Sequence, residues 1–333
     1  MLKTLQILAA SFRLAWQELR NNKLRTFLSL FGVTIGIFCI IGVLTTVDSL
    51  ERNIKEGINS LGSNTIYIDK WDYSGGGDGD YPWWKYVKRP SPKYDEMRFI
   101  RAKTDAIENM AFTLQVQGQN IIHEKDMIQN VALYGVTEEF NAIQPFEIQY
   151  GRYLTLSDME RGSANGVMGY ENAAKLFGSA ERALGKTITI KNKKINVVGV
   201  IKKQGKSLLV SGWNFDDCVI LSYRFFRTIF EERYSNPTIM VQGKPNVTTE
   251  AFKDELRGTL RAVHRLSPGT EDDFSLNAVS DFSEAVTSLF SNVKLGGWLI
   301  GLLSLVVGAF GIANIMFVTV RERTPIIGLK KAI

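Results

Sequence analysis

The stretch Thr26–Val47, TFLSLFGVTIGIFCIIGVLTTV, contains no charged residue, and neither does a second stretch, Leu295–Val320, LGGWLIGLLSLVVGAFGIANIMFVTV. At a rise of about 1.5 Å per residue, a helix over either stretch is long enough to cross a hydrocarbon core of about 30 Å. A helix also satisfies its own backbone hydrogen bonds, as lipid requires. We therefore predict transmembrane helices at residues 26–47 and 295–320, with a large domain between them.

A signal peptide is the alternative for the first stretch, and a buried core helix is the alternative for the second. The first stretch is longer than a typical signal-peptide core, and no small-residue cleavage site follows it. The second is longer and more apolar than most core helices of soluble proteins. The mean hydropathy of the whole chain is only -0.05 because the apolar residues are concentrated in these two stretches.

Basic residues lie on the terminal side of each apolar stretch. They are Lys3, Arg13, Arg20, Lys23 and Arg25 before the first, and Arg321, Arg323, Lys330 and Lys331 after the second, with one acid on each side, Glu18 and Glu322. The positive-inside rule places both termini in the cytoplasm and the residues between the stretches outside it. The net charge of +6 therefore lies where an anionic leaflet attracts it, and it requires no nucleic acid.

Hydrophobic periodicity predicts the segments around the two spans. Residues 1–25 carry an apolar stripe and are predicted to form an interfacial amphipathic helix, the alternative being a plain cytosolic tail. Residues 48–62 continue the first span as a stalk helix, and residues 281–294 form a second stalk that leads into the second span. Residues 321–333 follow as a short basic segment.

The domain at residues 63–280 alternates short strands and helices, which is typical of a mixed α/β domain. The stretch NTIYI is predicted to open it as a half-buried strand, MAFTLQVQG and NIIHE are predicted as two strands, and KTITIKNKKINVVGVIKK is predicted as a hairpin with its turn at Asn192. Its loop at residues 71–86 is rich in glycine and aromatic residues. Two interpretations stay open: the aromatic side chains are exposed anchors for a partner, or they fold back on the domain. Cys39 lies in the first span and Cys218 in the domain, so no internal disulfide is expected.

The sequence contains little that points to catalysis. The two histidines, His123 and His264, have no metal ligand at a suitable spacing, and neither HExxH nor GxSxG is present. Gly185-Lys186-Thr187 matches the end of a phosphate-binding loop, but Ala180 stands where that motif requires glycine. We therefore expect no catalytic residue and no metal site in this chain.

Small residues recur four apart in both spans, as Gly32 and Gly36 in the first and Gly297 and Gly301 in the second. Such pairs allow helix backbones to approach closely in lipid, although they also match ordinary membrane glycine content. Asn314, near the cytoplasmic end of the second span, is expected to seek a partner on another helix because an unpaired amide is costly there.

Several motifs together resemble the MacB/FtsX-type ABC transporter permeases, the type VII exporters, over nearly the whole chain. They are LRNNKLRTFLSLFGVTIGI, SLGSNTIYI, YGVTEEF, YGRYLTLSD, NAAKLFG, LGKTITI and INVVGVIKK, in the order of the family, and GIANIMFVTVRERTPIIGLKKAI, the most specific of them. The resemblance implies a core domain with a porter-like part and a smaller inserted α/β part, placed at roughly 125–235. It also implies a bacterial inner-membrane location with the domain in the periplasm.

The resemblance further implies that residues 321–333 are a coupling helix that docks on a separate cytosolic ATPase, which binds the ATP and Mg²⁺. The contact residues would be Arg321, Glu322, Arg323, Thr324, Ile326, Ile327, Gly328, Leu329, Lys330 and Lys331. Thr324-Pro325 is predicted to start this helix, with proline at its first position. The alternative, a basic flank that anchors the span, explains the charges but not the apolar residues among them.

In the family the chain normally continues with two more spans, so we expect this sequence to be truncated before them. The permease would pair with a second, identical or different, permease and with a periplasmic adaptor. The sequence therefore favours an export permease that transmits ATP-driven motion to its periplasmic domain. Two alternatives are an FtsX-like regulator of cell-wall hydrolases and a two-span ligand-binding receptor.

Overall fold

The computed structural model describes residue 12 and residues 23–59, 64–73, 81–205 and 213–332. It divides into two compact units, one of residues 1–52 and 287–333 and one of residues 53–286. The predicted interfacial helix at residues 1–25 lies outside the described residues, apart from Phe12 and its last three positions.

Each of the two apolar stretches lies within one long helix. Helix α1 covers Lys23–Asn59, and the last helix, α9, covers Val279–Ala332. Both are long and apolar enough to cross a membrane. Each also extends beyond its apolar stretch into the segment predicted as a stalk.

The predicted helix start at Thr324-Pro325 is wrong, because α9 continues through these residues without a break. Proline removes one backbone donor, and this single loss does not end a helix whose other hydrogen bonds are made on both sides. The Thr324 hydroxyl donates to the Val320 carbonyl oxygen at 2.8 Å, within the same helix. The predicted coupling segment is therefore the C-terminal continuation of α9.

The larger unit is built on one ten-stranded sheet. Nine of its strands follow one another in the order β10-β1-β9-β2-β3-β8-β5-β7-β4, and the tenth, β6, pairs with both β2 and β7. The strands are β1 Thr65–Asp69, β2 Ile107–His123, β3 Asp126–Val136, β4 Ile148–Gly151, β5 Asn165–Met168, β6 Thr187–Ile190, β7 Lys193–Ile201, β8 Cys218–Ser222, β9 Thr238–Gly243 and β10 Ser275–Ala278. Between them lie α2 Trp83–Tyr86, α3 Glu96–Lys103, α4 Phe140–Ile143, α5 Leu156–Arg161, α6 Tyr170–Phe177, α7 Tyr223–Phe226 and α8 Thr249–Val263.

Strand β1 shows how the sheet forms two cores. Its five residues are all buried, and alternation sends Ile66 and Ile68 to one face and Tyr67 to the other. The first face packs against α3 and α8, where Ile100 and Leu256 are buried. The second face packs against α4 and the chain that precedes β8. Both faces of β1 are therefore buried, and the face of Tyr67 also carries the polar residues Thr65 and Asp69.

The segment from β3 to β8 extends the same sheet away from β1, β2, β9 and β10. It contains most of the inserted part predicted at roughly 125–235. Strand β3 pairs with β2 on one side and, in parallel, with β8 on the other, so backbone hydrogen bonds connect this segment directly to the rest of the sheet.

The turn at Asn192 and the strand through Gly118 are two places where the structure tests a prediction made from local sequence. The turn predicted at Asn192 is confirmed, because Lys191 and Asn192 both have positive φ between β6 and β7. The two strands predicted on either side of Gly118 are instead one strand, β2. Gly118 has a φ of 71°, and the pairing shifts between Val116 and Gln119, so the glycine permits a bulge rather than a turn.

His264 connects three parts of the core domain at the end of α8. Its Nδ1 lies 2.6 Å from Asp273 Oδ1, and its Nε2 lies 3.7 Å from Glu96 Oε1, which is an ion-pair distance rather than a hydrogen bond. The Glu96 carboxylate is the main cause that raises the His264 pKa; the Asp273 carboxylate adds to it, and burial opposes both. The charged imidazole is therefore favoured in the folded protein.

We expect a His264→Gln substitution to remove a pH-dependent part of the stability. A raised folded pKa means that the stabilisation is complete below the unfolded pKa of about 6.5 and is lost as the pH rises through the folded value. Thermal unfolding of wild type and variant should therefore differ more at acidic than at alkaline pH. An equal difference at both would contradict the assigned charge.

Candidate functional site

The apolar halves of α1 and α9 pack against each other through small residues. A side-chain carbon placed on Gly36 would lie 3.5 Å from Ser304 Cβ, and one on Gly297 would lie 3.4 Å from Leu44 Cδ2. One placed on Gly301 would lie only 2.9 Å from the Ile40 side chain. Three of the four predicted packing glycines therefore face the opposite helix; the surroundings of Gly32 and the Asn314 side chain lie outside the description.

Charged residues continue this helix contact beyond the apolar stretch. Lys294 Nζ on α9 lies 2.7 Å from Asp48 Oδ1 and 2.6 Å from Glu51 Oε2, both on α1. Glu51 is the most buried of the three side chains, at 13% exposure. The cluster joins the two helices where the predicted spans end and the predicted stalks begin.

We expect Gly301→Leu to destabilise the helix pair by about 1–3 kcal/mol, the usual cost of overpacking a tight contact. The added side chain must displace Ile40 or separate the helices. Thermal unfolding in detergent measures the change, and Gly311→Leu is the matched control because the space around Gly311 is open. An additional Ile40→Ala should restore part of the loss, whereas purely additive effects would argue against the contact.

The predicted ATPase-coupling residues lie along the last turns of α9. Arg321 and Thr324 are exposed there. The backbone of Glu322, Arg323, Ile326, Ile327, Gly328, Leu329, Lys330 and Lys331 is helical, and their side chains lie outside the description. The described backbone thus shows one continuous helix from the core domain to this segment.

The strands that lie next to the two long helices in the sequence are neighbours in the core sheet. Strand β1 follows α1, and β10 runs directly into α9 at Val279. The two strands are antiparallel partners, with Ile66 opposite Ala278 and Asp69 opposite Ser275. At the start of α9, Asp281 forms an ion pair with Lys253 of α8. Neither this pairing nor the ion pair was predicted, because the residues are far apart in the sequence.

The core domain contains a cleft of about 760 Å³ beside β1, β2, β9 and β10. Its floor includes Tyr67, Tyr134 and the half-buried Trp213, and Arg89 and Lys253 lie at its sides. Sequence analysis missed this cleft. The available signal was the polar residues Thr113, Gln115 and Gln117, which alternate with the apolar residues Phe112, Leu114 and Val116 along β2.

Hydrogen bonds fix the floor of the cleft. Gln144 Nε2 donates to the Tyr67 hydroxyl at 2.9 Å. The Tyr73 hydroxyl donates to Asp69 Oδ2 at 2.7 Å. Burial raises the pKa of the Asp69 carboxyl, while bonds from Tyr73 and two backbone amides favour its charged form. The polar side chains of the floor are therefore bonded to their neighbours in the core domain.

In the aromatic loop at residues 71–86, some of the described aromatic side chains fold back on the domain and others are exposed. Tyr86 is buried, and the Tyr81 hydroxyl donates to the Asp72 carbonyl oxygen at 2.8 Å, so both fold back on the domain. Trp83 and Trp84 are instead exposed. Residues 74–80 lie outside the description.

Two helices long and apolar enough to cross a membrane, on either side of one large mixed α/β domain in the sequence, define the class of this protein, a membrane protein. A family described as the MacB-like periplasmic core domain matches residues 26–259. The chain belongs to this family, which confirms the resemblance found in the sequence.

Individual relatives support the same assignment. The chain is 30% identical to the macrolide export ATP-binding/permease protein MacB of Neisseria gonorrhoeae, over 97% of this chain and 47% of that protein. It is 27% identical to the pyoverdine export ATP-binding/permease protein PvdT of Pseudomonas syringae, over 97% and 46%. The chain thus spans about half the length of these curated relatives.

A solved structure shows the same fold. The periplasmic region of MacB from Actinobacillus actinomycetemcomitans matches with a TM-score of 0.55 at 19% identity, covering 70% of this chain and 97% of that structure. The mixed α/β domain predicted between the two apolar helices is therefore confirmed as a MacB-type periplasmic core.

Proposed function

We propose that this chain is the permease part of an ABC-type export complex in a bacterial inner membrane, with both termini in the cytoplasm. A cytosolic ATPase binds ATP and Mg²⁺, and the chain transmits the resulting motion to its periplasmic domain without catalysing a reaction itself. A second permease and a periplasmic adaptor complete the complex. The words "ATP-binding/permease" in the relatives' names support this assignment.

The observation that carries the proposal is the pairing of β1 with β10. Because each strand adjoins one of the long helices, a displacement of either helix along its axis acts on the same pair of strands. A sheet whose neighbouring strands are fully hydrogen-bonded resists sliding, since slippage would break several bonds together. Helix motion would therefore move the core domain as a body.

The packing of α1 against α9 supports the same mechanism. The close contact at Gly301 and the charge cluster at Lys294 lie in succession along the pair. A joined pair of helices bends less than two separate ones. The pair can thus act as a stiff connection between the coupling segment and the periplasmic domain.

The test is a cross-link from Ile327→Cys in the full-length gene product, with Phe310→Cys as the control. Phe310 is exposed within the apolar stretch, where lipid would surround it. We expect the first variant to be cross-linked to an ATP-binding subunit or domain and the second not to be. No cross-link from the folded and inserted Ile327 variant would contradict the coupling role and favour a receptor.

A further inference from the structure

The cleft beside β1 and β10 plays no part in the proposed transport mechanism. Its volume of about 760 Å³ is within the usual range of small-molecule sites. All of its lining residues belong to the core domain. Its chemistry can therefore be considered independently of the membrane helices and of any ATPase.

The wall of the cleft on β2 and β9 is polar but uncharged. Thr113, Gln115 and Gln117 alternate on β2 and share one face, and Thr113 lies opposite Thr238 of β9. Asn236 precedes β9 and is exposed. Amide side chains both donate and accept hydrogen bonds, so this wall suits a ligand with hydroxyl or amide groups.

The charged residues around the cleft largely neutralise each other. Lys85 Nζ lies 2.6 Å from Glu271 Oε2, and Arg257 Nε lies 3.2 Å from Asp272 Oδ2. Lys253 is paired with Asp281.

Arg89 is held by neutral groups. Its Nη1 donates to Ser275 Oγ at 2.7 Å and to the Phe274 carbonyl oxygen at 3.2 Å. An ionic ligand would have to displace an existing partner from the paired residues, whereas an uncharged one would not.

Trp213 supplies an aromatic surface that its neighbours hold in place. Its ring makes edge contacts with Tyr134 at 4.7 Å and Phe140 at 5.1 Å between centroids. These ring contacts on two sides hold the indole in place. The face of a sugar ring carries C–H groups that pack favourably on such an aromatic surface, because the π face is electron-rich.

We propose that this cleft binds an uncharged saccharide, with a sugar ring against Trp213 and its hydroxyl or amide groups bonded by Gln115, Gln117 and Asn236. The aromatic surface, the amide wall and the paired charges all line this one cleft. It concerns binding by this chain alone and does not depend on the proposed export function.

The probe is tri-N-acetylchitotriose, an uncharged saccharide that carries both hydroxyl and amide groups. The full chain is purified in a detergent without a sugar headgroup, since such a headgroup would compete for the site. Titration calorimetry measures the dissociation constant, and an uncharged blocked alanine tripeptide amide is tested in parallel. We expect the saccharide to bind and the peptide not to bind.

Variants locate the binding within the molecule. Trp213→Ala and Gln117→Ala should each weaken saccharide binding, the first by about tenfold. Trp83→Ala is the control, because Trp83 is an exposed aromatic residue that does not line the cleft. If Trp213→Ala fails to fold, the exposed Gln117 still permits the test. Absence of binding, binding of the peptide alone, or equal binding by wild type and Gln117→Ala would each overturn the proposal.

Discussion

A flexible Gly-Ser-Gly-Ser insertion between Ser291 and Asn292 of α9 is expected to abolish nucleotide-driven movement of the periplasmic domain while leaving basal ATP hydrolysis intact. The insertion interrupts the helix between the core domain and the coupling segment. Glycine- and serine-rich segments behave as random coils and transmit little force. The ATPase itself is untouched, so its basal rate should stay within about twofold. The same insertion in the predicted stalk of α1 should have the same effect.

The movement can be measured without knowing the substrate. A spin label at Asn120, which is exposed on β2, reports the distance between two permease copies in the full-length complex. We expect ATP to shift this distance in the wild type and not in the insertion variant.

A helical insertion of about seven residues is the matched control, because it adds nearly two whole turns and preserves the helix face. This stiff insertion should retain the ATP-dependent shift. A shift that persists with the flexible insertion would contradict the proposal that the helices act as stiff connections.

Gly199→Ala is expected to destabilise the core domain strongly, because Gly199 has the shortest backbone contact among the glycines that the structure describes. A Cβ on Gly199 would lie 2.1 Å from the Arg152 carbonyl oxygen, which belongs to the backbone and cannot rotate away. Strand β7 pairs with β4 through Gly199 and Gly151, so the added methyl group would force these strands apart. We expect a loss of about 3 kcal/mol, at the upper end of overpacking effects.

Thermal unfolding of the full chain measures this loss as a fall in Tm of roughly 6–12 °C for a unit of this size. Gly258→Ala is the control, because Gly258 lies in α8 with open space around it. That variant should be more stable by up to about 1 kcal/mol, since alanine favours the helix more than glycine does. A change of less than 2 °C for Gly199→Ala would show that β7 can move away from Arg152 at little cost.

Local sequence patterns predicted those elements of the core domain that depend on only a few consecutive residues. The strand predicted at NTIYI and the turn at Asn192 are examples, since both depend on the chain's immediate conformational preferences. The half-buried pattern expected of that strand is wrong, because all five residues of Thr65–Asp69 are buried. The same approach failed at Gly118 and Pro325. There the residue type permits a break, but the hydrogen bonds of the surrounding strand or helix continue past it.

The candidate sites divide in the same way. The packing glycines and the basic coupling segment are visible in the sequence because each is a short, local pattern. The cleft is not visible, because its floor joins Tyr67, Tyr134 and Trp213 from separate parts of the chain. No spacing rule connects residues that a sheet brings together from distant positions.

The sequence by itself determined that this protein has two membrane-crossing helices around a mixed α/β domain, and it identified the family. These properties depend on the length of apolar runs and on local periodicity, which the order of residues contains directly. Only the tertiary structure decided that β1 and β10 are neighbours, that Gly301 meets Ile40, and that a polar cleft forms beside the sheet. Strand order and helix contacts follow from the combined burial of many distant side chains, so they are fixed only when the whole domain packs.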